Sequence, residues 1–253
     1  MIVLLENENF SAAVDSVGAQ LISLKDRSET EYIWQHDPAF WSSSSPLLFP
    51  SVGNCRGGRT RIEGAWYEMP KHGFARHSVF ALKEQSGDSM TFSLASSDET
   101  RKCYPFEFEL LIKYSVSGHT LRCTSTVINK SDGELYCSIG AHPSFNGRIG
   151  DAIEIEKGEN LRTMRIESSS ILMDETFPVE LENGRTIRLK EHIFDKDELI
   201  LEGLNSERLR LVSGDRTVKF TFGKAPYLGI WAKPNAPYVC IEHGYEVNDS
   251  CAQ

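Results

Sequence analysis

The sequence lacks any long apolar segment. No stretch approaches the roughly 20 consecutive apolar residues that a membrane-spanning helix requires. The opening MIVLLENENF holds only a short apolar run with no basic flank, unlike a secretory signal peptide. We therefore expect a cytoplasmic protein without a membrane partner.

Metal-binding and disulfide patterns are also missing. No C-x-x-C pair occurs, so a zinc site is not expected. In a reducing compartment the cysteines are expected to be free thiols, several of them inside strands. The six cysteines are Cys55, Cys103, Cys123, Cys137, Cys240 and Cys251.

An excess of positive charge is absent as well. The chain carries 27 Lys and Arg against 36 Asp and Glu, a formal net charge of −9. Proteins that bind nucleic acid present a basic stripe, so no nucleic-acid partner is expected. An uncharged small-molecule substrate is compatible with this balance.

A sustained helical period is missing too. Only Asp37–Trp41 and Lys190–Phe194 are candidates for short helices. Because strands and helices do not alternate along the chain, a parallel α/β sheet is excluded. Linkers, internal repeats and low-complexity tracts do not occur.

Alternation with a period of two dominates what is present. In Phe106–Val116 every second residue is apolar, and the intervening ones are mostly polar or charged. Similar runs are separated by turn signals such as SGD, KSDG and ENGR. At 253 residues, this pattern predicts an all-β protein, a large antiparallel β-sandwich with few short helices, forming a single domain over residues 1–253. The other runs are FSAAVDSVG, QLISLKD, MTFSLAS, TLRCTSTVIN, LRLVS, TVKFTF and YLGIWA.

Four stretches depart from strand alternation and combine polar, aromatic, Gly and Pro residues. Loops and strand ends of this kind are where function tends to lie. In GAHPSFNG, the proline after His142 forces an extended backbone and removes a ladder donor at the strand end. The stretches are PLLFPSVGNCRGGR, MPKHGFARH, GAHPSFNG and IWAKPNAPYVCIEHG.

Two histidines and a carboxylate within these stretches suggest acid–base chemistry. His72, His142 and Glu242 have no metal-ligand spacing, and no nucleophilic Ser or Cys has a recognisable setting. Trp231 could supply an apolar platform for a sugar ring. Taken singly, each motif is equally compatible with a structural role: HGFAR as a turn, RGGRTR as a solvated hairpin, and CIEHG as a strand end.

Taken together and in order, the motifs resemble the aldose 1-epimerase (galactose mutarotase-like) family, in particular its LacX-type branch. The resemblance runs through PLLFPSVGN, HGFAR, GAHPSFN and YLGIWAKPNAPYVCIEHG, and GAQLISLKD with EYIWQHDPAFW extends it over nearly the whole chain. It implies the galactose mutarotase-like supersandwich. It also implies interconversion of the α and β anomers of an aldose by ring opening and reclosure, with no cofactor or metal.

The resemblance also implies roles for individual residues. His142 corresponds to the family's acid and Glu242 to its base. His72 corresponds to the second active-site histidine, and Arg76 of HGFAR is typical of the branch. The family's substrate-binding aspartate falls on Asp197, with Asp195 as the alternative register.

Two positions depart from the family's pattern. Asn54 stands where the family usually has an arginine that binds sugar oxygens, and Arg56 is a candidate replacement. EPW has become EHG, which adds His243 after the base. Two alternatives therefore stay open: a carbohydrate-binding or sensing protein without catalysis, and a hexose-6-phosphate 1-epimerase. In the second, basic residues would hold the phosphate, the candidates being Arg56, Arg59, Arg61 and Arg76.

Overall fold

The computed structural model of the protein describes residues 1–166 and 171–248. These residues are mainly antiparallel β-structure. In chain order, strands β1 to β21 are Ile2–Glu6, Phe10–Asp15, Gln20–Asp26, Leu47–Leu48, Arg59–Ile62, Ala65–Glu68, Ala81–Gln85, Ser89–Ala95, Phe108–Ser117, Thr120–Asn129, Gly140–Ala141, Ser144–Asn146, Ala152–Ile155, Arg162–Ile166, Leu172–Pro178, Thr186–Arg188, Leu199–Glu202, Arg208–Ser213, Arg216–Thr221, Tyr227–Trp231 and Tyr238–Gly244.

The strands form several antiparallel sheets. The largest described sheet has the order β15-β14-β17-β20-β21-β11-β4, and β12 also pairs with β21. Beside it are the sheets β10-β9-β8-β7 and β16-β13-β18-β19, the three-stranded sheet β1-β2-β3 and the hairpin β5-β6. This architecture confirms the predicted antiparallel β-sandwich class.

The core joins these sheets through apolar side chains at alternate strand positions. Every predicted inward-facing residue from Phe106 to Val116 is buried, whereas Lys113 on the same segment is exposed. Fully burying one such large apolar side chain stabilises the fold by about 1.5–3 kcal/mol. Buried residues of β2, β9, β17, β18 and β21 belong to the same continuous cluster.

Helices are short, and both predicted helical segments are wrong. Asp37–Trp41 forms one turn closed by Trp41 N donating to Asp37 O at 2.9 Å, and Lys190–Phe194 also consists of turns, with His192 at a φ of +68°. Segments this short need capping or packing to offset the cost of helix nucleation, and the positive φ of His192 breaks the helical backbone of the second segment. The helices that do form in the described residues are α1 (Asp98–Arg101) and 3-10 turns at Arg56–Gly58 and Ala75–His77, and none is long and apolar enough to cross a bilayer.

Five cysteines of the described residues are free thiols. Cys123 lies in β10 and Cys240 in β21, inside strands as the sequence indicated. Cys251 lies outside the described residues. A second, smaller apolar cluster around Trp34, Tyr238 and Cys240 includes Trp231 at the end of β20 and the first residues of β21.

Candidate active site

His142 and Glu242 face each other across neighbouring strands. Strands β11 and β12 both pair with β21 in one register, and this register places His142, in the break between them, directly opposite Glu242. Pro143 cannot donate to the ladder, and His142 N donates to Pro46 O at 3.0 Å instead. Side chains opposite one another share a face of the sheet. The result is a distance of 2.7 Å between His142 Nε2 and Glu242 Oε1.

Both members of this pair are buried, and burial favours their uncharged forms. Burial raises the pKa of Glu242 to about 8, against the opposing positive charges of Lys71 and Arg76. Burial also lowers the pKa of His142 to about 3, and the charge of Arg76 adds to that effect. At neutral pH the pair is therefore uncharged overall, with one proton available to move between Oε1 and Nε2.

His72 is held edge-on to this pair. Its ring centroid is 6.0 Å from that of His142, with the rings nearly perpendicular. Gly53 N donates to His72 Nδ1 at 3.0 Å, and His72 N donates to Gly53 O at 2.7 Å. Burial lowers the pKa of His72 well below its usual value. Because Nδ1 accepts a hydrogen bond, the neutral ring carries its proton on Nε2 and can donate it to a ligand oxygen.

Aromatic rings form one wall beside the pair. The Trp41 ring is tilted by 31° to the His142 ring, with centroids 4.9 Å apart, and Trp231 meets the same ring edge-on at 6.2 Å. Tyr238 stacks behind Trp41 at 5.8 Å. Flat apolar faces next to a few polar groups are typical of small-molecule sites, and they suit the C–H faces of a sugar ring.

A cleft opens on the other side of Glu242. It encloses about 450 Å³, including space open to solvent. Lys71, His72, Glu198 and Glu242 all line it, together with Glu246. No three His, Cys, Asp or Glu side chains within residues 1–166 and 171–248 are grouped to ligate a metal ion.

A larger depression of about 710 Å³ lies elsewhere and contains none of the motif residues. Two of its cations are paired with carboxylates of the same depression. Arg188 Nη2 is 2.7 Å from Glu182 Oε2, and Lys190 Nζ is 3.1 Å from Glu180 Oε2. Because these cations are already paired, the depression offers no comparable chemistry, and the His142–Glu242 cleft is the candidate site.

Comparison with known proteins agrees with this geometry. The sequence profile described as Aldose 1-epimerase matches residues 1–248. The chain belongs to the aldose 1-epimerase family. It is similar to the plasmid-encoded protein LacX of Lactococcus lactis subsp. lactis, at 30% identity over 267 residues, covering 96% of this chain and 87% of LacX.

Two solved structures have the same fold as this member of the aldose 1-epimerase family. A galactose mutarotase related enzyme from Lactobacillus acidophilus superposes with a TM-score of 0.93 at 28% identity, covering all of this chain and 88% of that one. A galactose mutarotase-like protein from Lactobacillus casei ATCC 334 gives a TM-score of 0.94 at 26% identity, covering all of this chain and 90% of that one.

Several residues predicted from the sequence come together in this epimerase-family cleft. His72, His142 and Glu242 lie within one cluster, and Trp231 borders it. Arg76 is largely enclosed, donates through Nη2 to Ser43 Oγ at 3.4 Å, and acts through its charge on both His142 and Glu242. Arg76 is close to His72 because it lies in the 3-10 turn Ala75–His77, which begins three residues after His72.

Other predicted residues lie beside the cleft and not in its lining. Asn54 N donates to Asn248 Oδ1 at 2.6 Å, and Arg56 is exposed in its 3-10 turn. Asp197 is exposed with a φ of +70°, although its charge contributes to the raised pKa of Glu242. Asp195 is also exposed and its Oδ2 lies 2.8 Å from His192 Nδ1.

The added histidine does not face the base. Adjacent residues of a strand point to opposite faces, so His243 points away from Glu242. Its ring packs 5.7 Å from that of Phe220, and burial lowers its pKa to about 4. The change from EPW to EHG therefore places a neutral histidine between two sheets.

Three cleft residues were missed by sequence reasoning: Lys71, Glu198 and Trp41. Lys71 immediately precedes His72, and Glu198 immediately follows Asp197, so each adjoins a residue that was identified. Trp41 belongs to the predicted helix that proved to be a turn. Which of two neighbouring polar residues faces a cleft depends on the local backbone, and here the positive φ of Asp197 turns Glu198 inward.

Proposed function

We propose that this protein is an aldose 1-epimerase that interconverts the α and β anomers of an unphosphorylated aldose, with His142 as the acid and Glu242 as the base. The 2.7 Å contact between His142 Nε2 and Glu242 Oε1 carries the proposal. The C1 hydroxyl oxygen and the ring oxygen are bonded to the same carbon, so a base and an acid that act on them must lie side by side.

The reaction follows from one proton moving at each oxygen. The shared proton first moves from Glu242 Oε1 to His142 Nε2 across their 2.7 Å contact. The resulting Glu242 carboxylate takes the proton of the C1 hydroxyl while the His142 imidazolium protonates the ring oxygen. The C1–O bond of the ring then breaks, and C1 becomes an aldehyde carbon. Rotation about C1–C2 presents its other face, and the reverse transfers close the ring as the other anomer.

Proton counting supports this assignment. Ring opening converts the carboxylate and imidazolium into a carboxylic acid and a neutral imidazole, and the pair holds the same number of protons in both states. Reclosure restores the first state without exchange with solvent. Burial of His142 and Glu242 favours this overall uncharged pair over either singly charged form.

The remaining cleft residues have positioning roles in this proposal. His72 offers an Nε2–H donor to a sugar oxygen, and Arg76 adds positive charge near the oxygen that is being deprotonated. Trp41 and Trp231 form the apolar wall. One acid–base pair contributes about 10²–10⁴-fold, and orientation of the sugar adds to this.

An unphosphorylated sugar is favoured by the charges around the cleft. Carboxyl groups of Glu198, Glu242 and Glu246 line it, against the single lining cation Lys71 among the described residues. The hairpin arginines considered for a phosphate have other contacts: Arg59 lies 4.8 Å over the Trp66 ring, and Arg61 Nε donates to Gly64 O at 3.3 Å. Among the described residues, a dianionic phosphate would find one lining cation, Lys71, and no cluster of arginines in this cleft.

Anomer exchange measured by NMR tests the proposal. Magnetisation transfer between α and β anomeric protons is recorded with glucose, galactose and their 6-phosphates, with and without protein. We expect faster exchange for at least one free sugar than for its 6-phosphate. Faster exchange only for a 6-phosphate would overturn the choice of substrate class. Binding of a sugar without any acceleration would favour the sensing protein.

A further inference from the structure

Glu198 occupies space that only a glycine at position 229 leaves open. A Cβ at Gly229 would lie 1.7 Å from Glu198 Oε1, far inside any permitted contact. Gly229 lies within the regular strand β20 and is not among the glycines with positive φ, so its backbone does not require glycine. What requires it is the carboxyl group of Glu198, which covers this point of the sheet.

The same glycine brings the Glu198 carboxyl next to the proposed base. Gly229 pairs with Glu242 in the register of β20 and β21. A Cβ on Gly229 would be 3.3 Å from Glu242 Cβ as well as 1.7 Å from Glu198 Oε1, which bounds the Oε1–Cβ separation to about 5 Å. Glu198 and Glu242 are thus neighbours lining one cleft.

The charged groups that face Glu198 do not neutralise it. Glu242 on β21 and the adjacent Asp197 are acidic, and Cys240 on β21 is a thiol whose own pKa both glutamates raise. Lys71 is the facing cation, but among the described residues no Lys, Arg or His nitrogen lies within 4.0 Å of the Glu198 carboxyl. Glu198 is half-buried. A carboxyl in partly desolvated surroundings without a close cation favours its protonated form, and desolvation raises the pKa of Glu198 well above its usual value.

We propose that Glu198 stands in the cleft as an uncharged, proton-bearing carboxyl that donates a hydrogen bond to Glu242 whenever Glu242 is a carboxylate. Glu198 is then a positioning residue that stabilises the base form of Glu242 next to His142. Its effect on catalysis rests on the proposed epimerase function, whereas its protonation does not.

Carbon NMR of protein labelled at the glutamate carboxyl carbon reads the protonation directly. The Glu198 signal is assigned by its loss in Glu198→Gln. We expect a protonated carboxyl at pH 7 that ionises only at higher pH. A Glu198 carboxylate at pH 7 would overturn the inference, whether or not the protein is active. If wild-type protein does not accelerate anomer exchange but Glu198 is protonated, the proposed function fails and the inference stands.

Kinetics of two replacements test the donor role. Glu198→Gln keeps an uncharged donor, so we expect kcat/KM at pH 7 to stay within about threefold of wild type. Glu198→Leu removes the donor, and kcat should fall about tenfold or more, the effect expected for one hydrogen bond to a charged group, with a smaller change in KM. In Glu198→Leu the alkaline limb of the pH profile should shift to higher pH, because the carboxylate form of Glu242 has lost its hydrogen-bond donor and the pKa of Glu242 rises.

Two outcomes contradict the donor role. An equal loss of kcat in Glu198→Gln and Glu198→Leu would mean that an ionised carboxylate is required. Wild-type kcat in Glu198→Leu would mean that Glu198 does not act on Glu242. Glu202→Gln, at the exposed end of β17, is the matched control and should equal wild type. Gly229→Ala should reproduce the Leu phenotype, since the new methyl displaces the carboxyl of Glu198; wild-type activity in this variant would contradict the proposed placement.

Discussion

At the scale of single residues, the central feature is a histidine and a glutamate held opposite each other by strand register. The sequence identified His142 and Glu242 through their motifs, but 100 residues separate them and their contact depends on which strands pair. Glu198 and Lys71 could not be predicted, because each adjoins another plausible residue and only the backbone decides which one lines the cleft.

The pH dependence of the reaction follows from the pair. We expect kcat/KM to be level near neutrality and to fall as the pH rises through about 8, where Glu242 loses the proton that the pair must retain. Below neutrality we expect no loss of kcat/KM until the protein itself is destabilised, since the pKa of His142 is about 3. Initial rates of anomer exchange across pH 5–10 check this, and an activity that rises through pH 9 would contradict it.

His72 offers a second test at this scale. His72→Ala removes the Nε2 donor, and we expect kcat/KM to fall about tenfold to a hundredfold, because hydrogen bonds in a partly desolvated site contribute about 1.5–3 kcal/mol when a charge develops on one partner. The neighbouring exposed His77, replaced by Ala, is the control and should equal wild type. Equal activity of His72→Ala and His77→Ala would show that His72 does not contribute to the reaction.

At the scale of elements, the turn that carries His72 depends on a close backbone approach. Gly73 has a φ of +69°, and a Cβ there would lie 2.1 Å from the carbonyl oxygen of Phe49. His72 itself has a φ of +65°, which costs a non-glycine residue on the order of 1 kcal/mol or more. Its reciprocal hydrogen bonds to Gly53 offset part of that strain and hold the ring in place.

Gly73→Ala is therefore expected to destabilise the protein by about 3 kcal/mol or more, because both the positive φ and the clash with a backbone atom are unfavourable. Gly64→Ala is a matched control: it has a φ of +88° but no heavy atom within 4 Å of the added Cβ, so about 1 kcal/mol is expected. Urea unfolding measures both changes. Equal destabilisation would show that the contact with Phe49 does not matter.

The predictability of the elements depended on their length. Long alternating strands such as Phe108–Ser117 were predicted from their period of two, because each has one buried face. Strands of two or three residues, such as Gly140–Ala141 and Ser144–Asn146, carry no period, and their pairing with Tyr238–Gly244 and other neighbours defines them. These short strands position His142, so the motif could be predicted without its geometry.

At the scale of the whole molecule, buried titratable groups of the cleft link stability to pH. Burial raises the pKa of Glu198 and Glu242 above the values of an unfolded chain, so the native state binds more protons than the unfolded state above about pH 4.5. Burial lowers the pKa of His72, His142 and His243, so the unfolded state binds more protons below about pH 6.5.

Together, the raised pKa values of the two carboxyls and the lowered pKa values of the three histidines predict a stability maximum near pH 6.5. Stability should fall as the pH rises from 6.5 to 8, by about 2 kcal/mol from Glu242, with Glu198 acting in the same direction. It should also fall as the pH drops below 6.5, where the three histidines dominate. Urea unfolding at a series of pH values checks this. In Glu198→Gln and Glu242→Gln the alkaline decline should shrink; an unchanged decline in both variants would contradict its origin in these carboxyls.

The fold class was predictable at this scale, because alternation over most of the chain and the resemblance of its ordered motifs point to the same sandwich. The match of the aldose 1-epimerase profile to residues 1–248 confirms the family. The substrate is less predictable. Lys71 and Glu198, which line the cleft, come together only in the folded chain.

The most direct test of the account is the anomer-exchange rate of wild type, His142→Asn, Glu242→Gln and the double variant, measured by NMR on each correctly folded protein. Because both residues act in one proton cycle, each single variant should lose about 10²-fold or more, and the double variant should be little worse than either single variant. A wild-type rate equal to that of buffer, or a single variant that keeps most of its activity, would contradict the proposed acid–base pair.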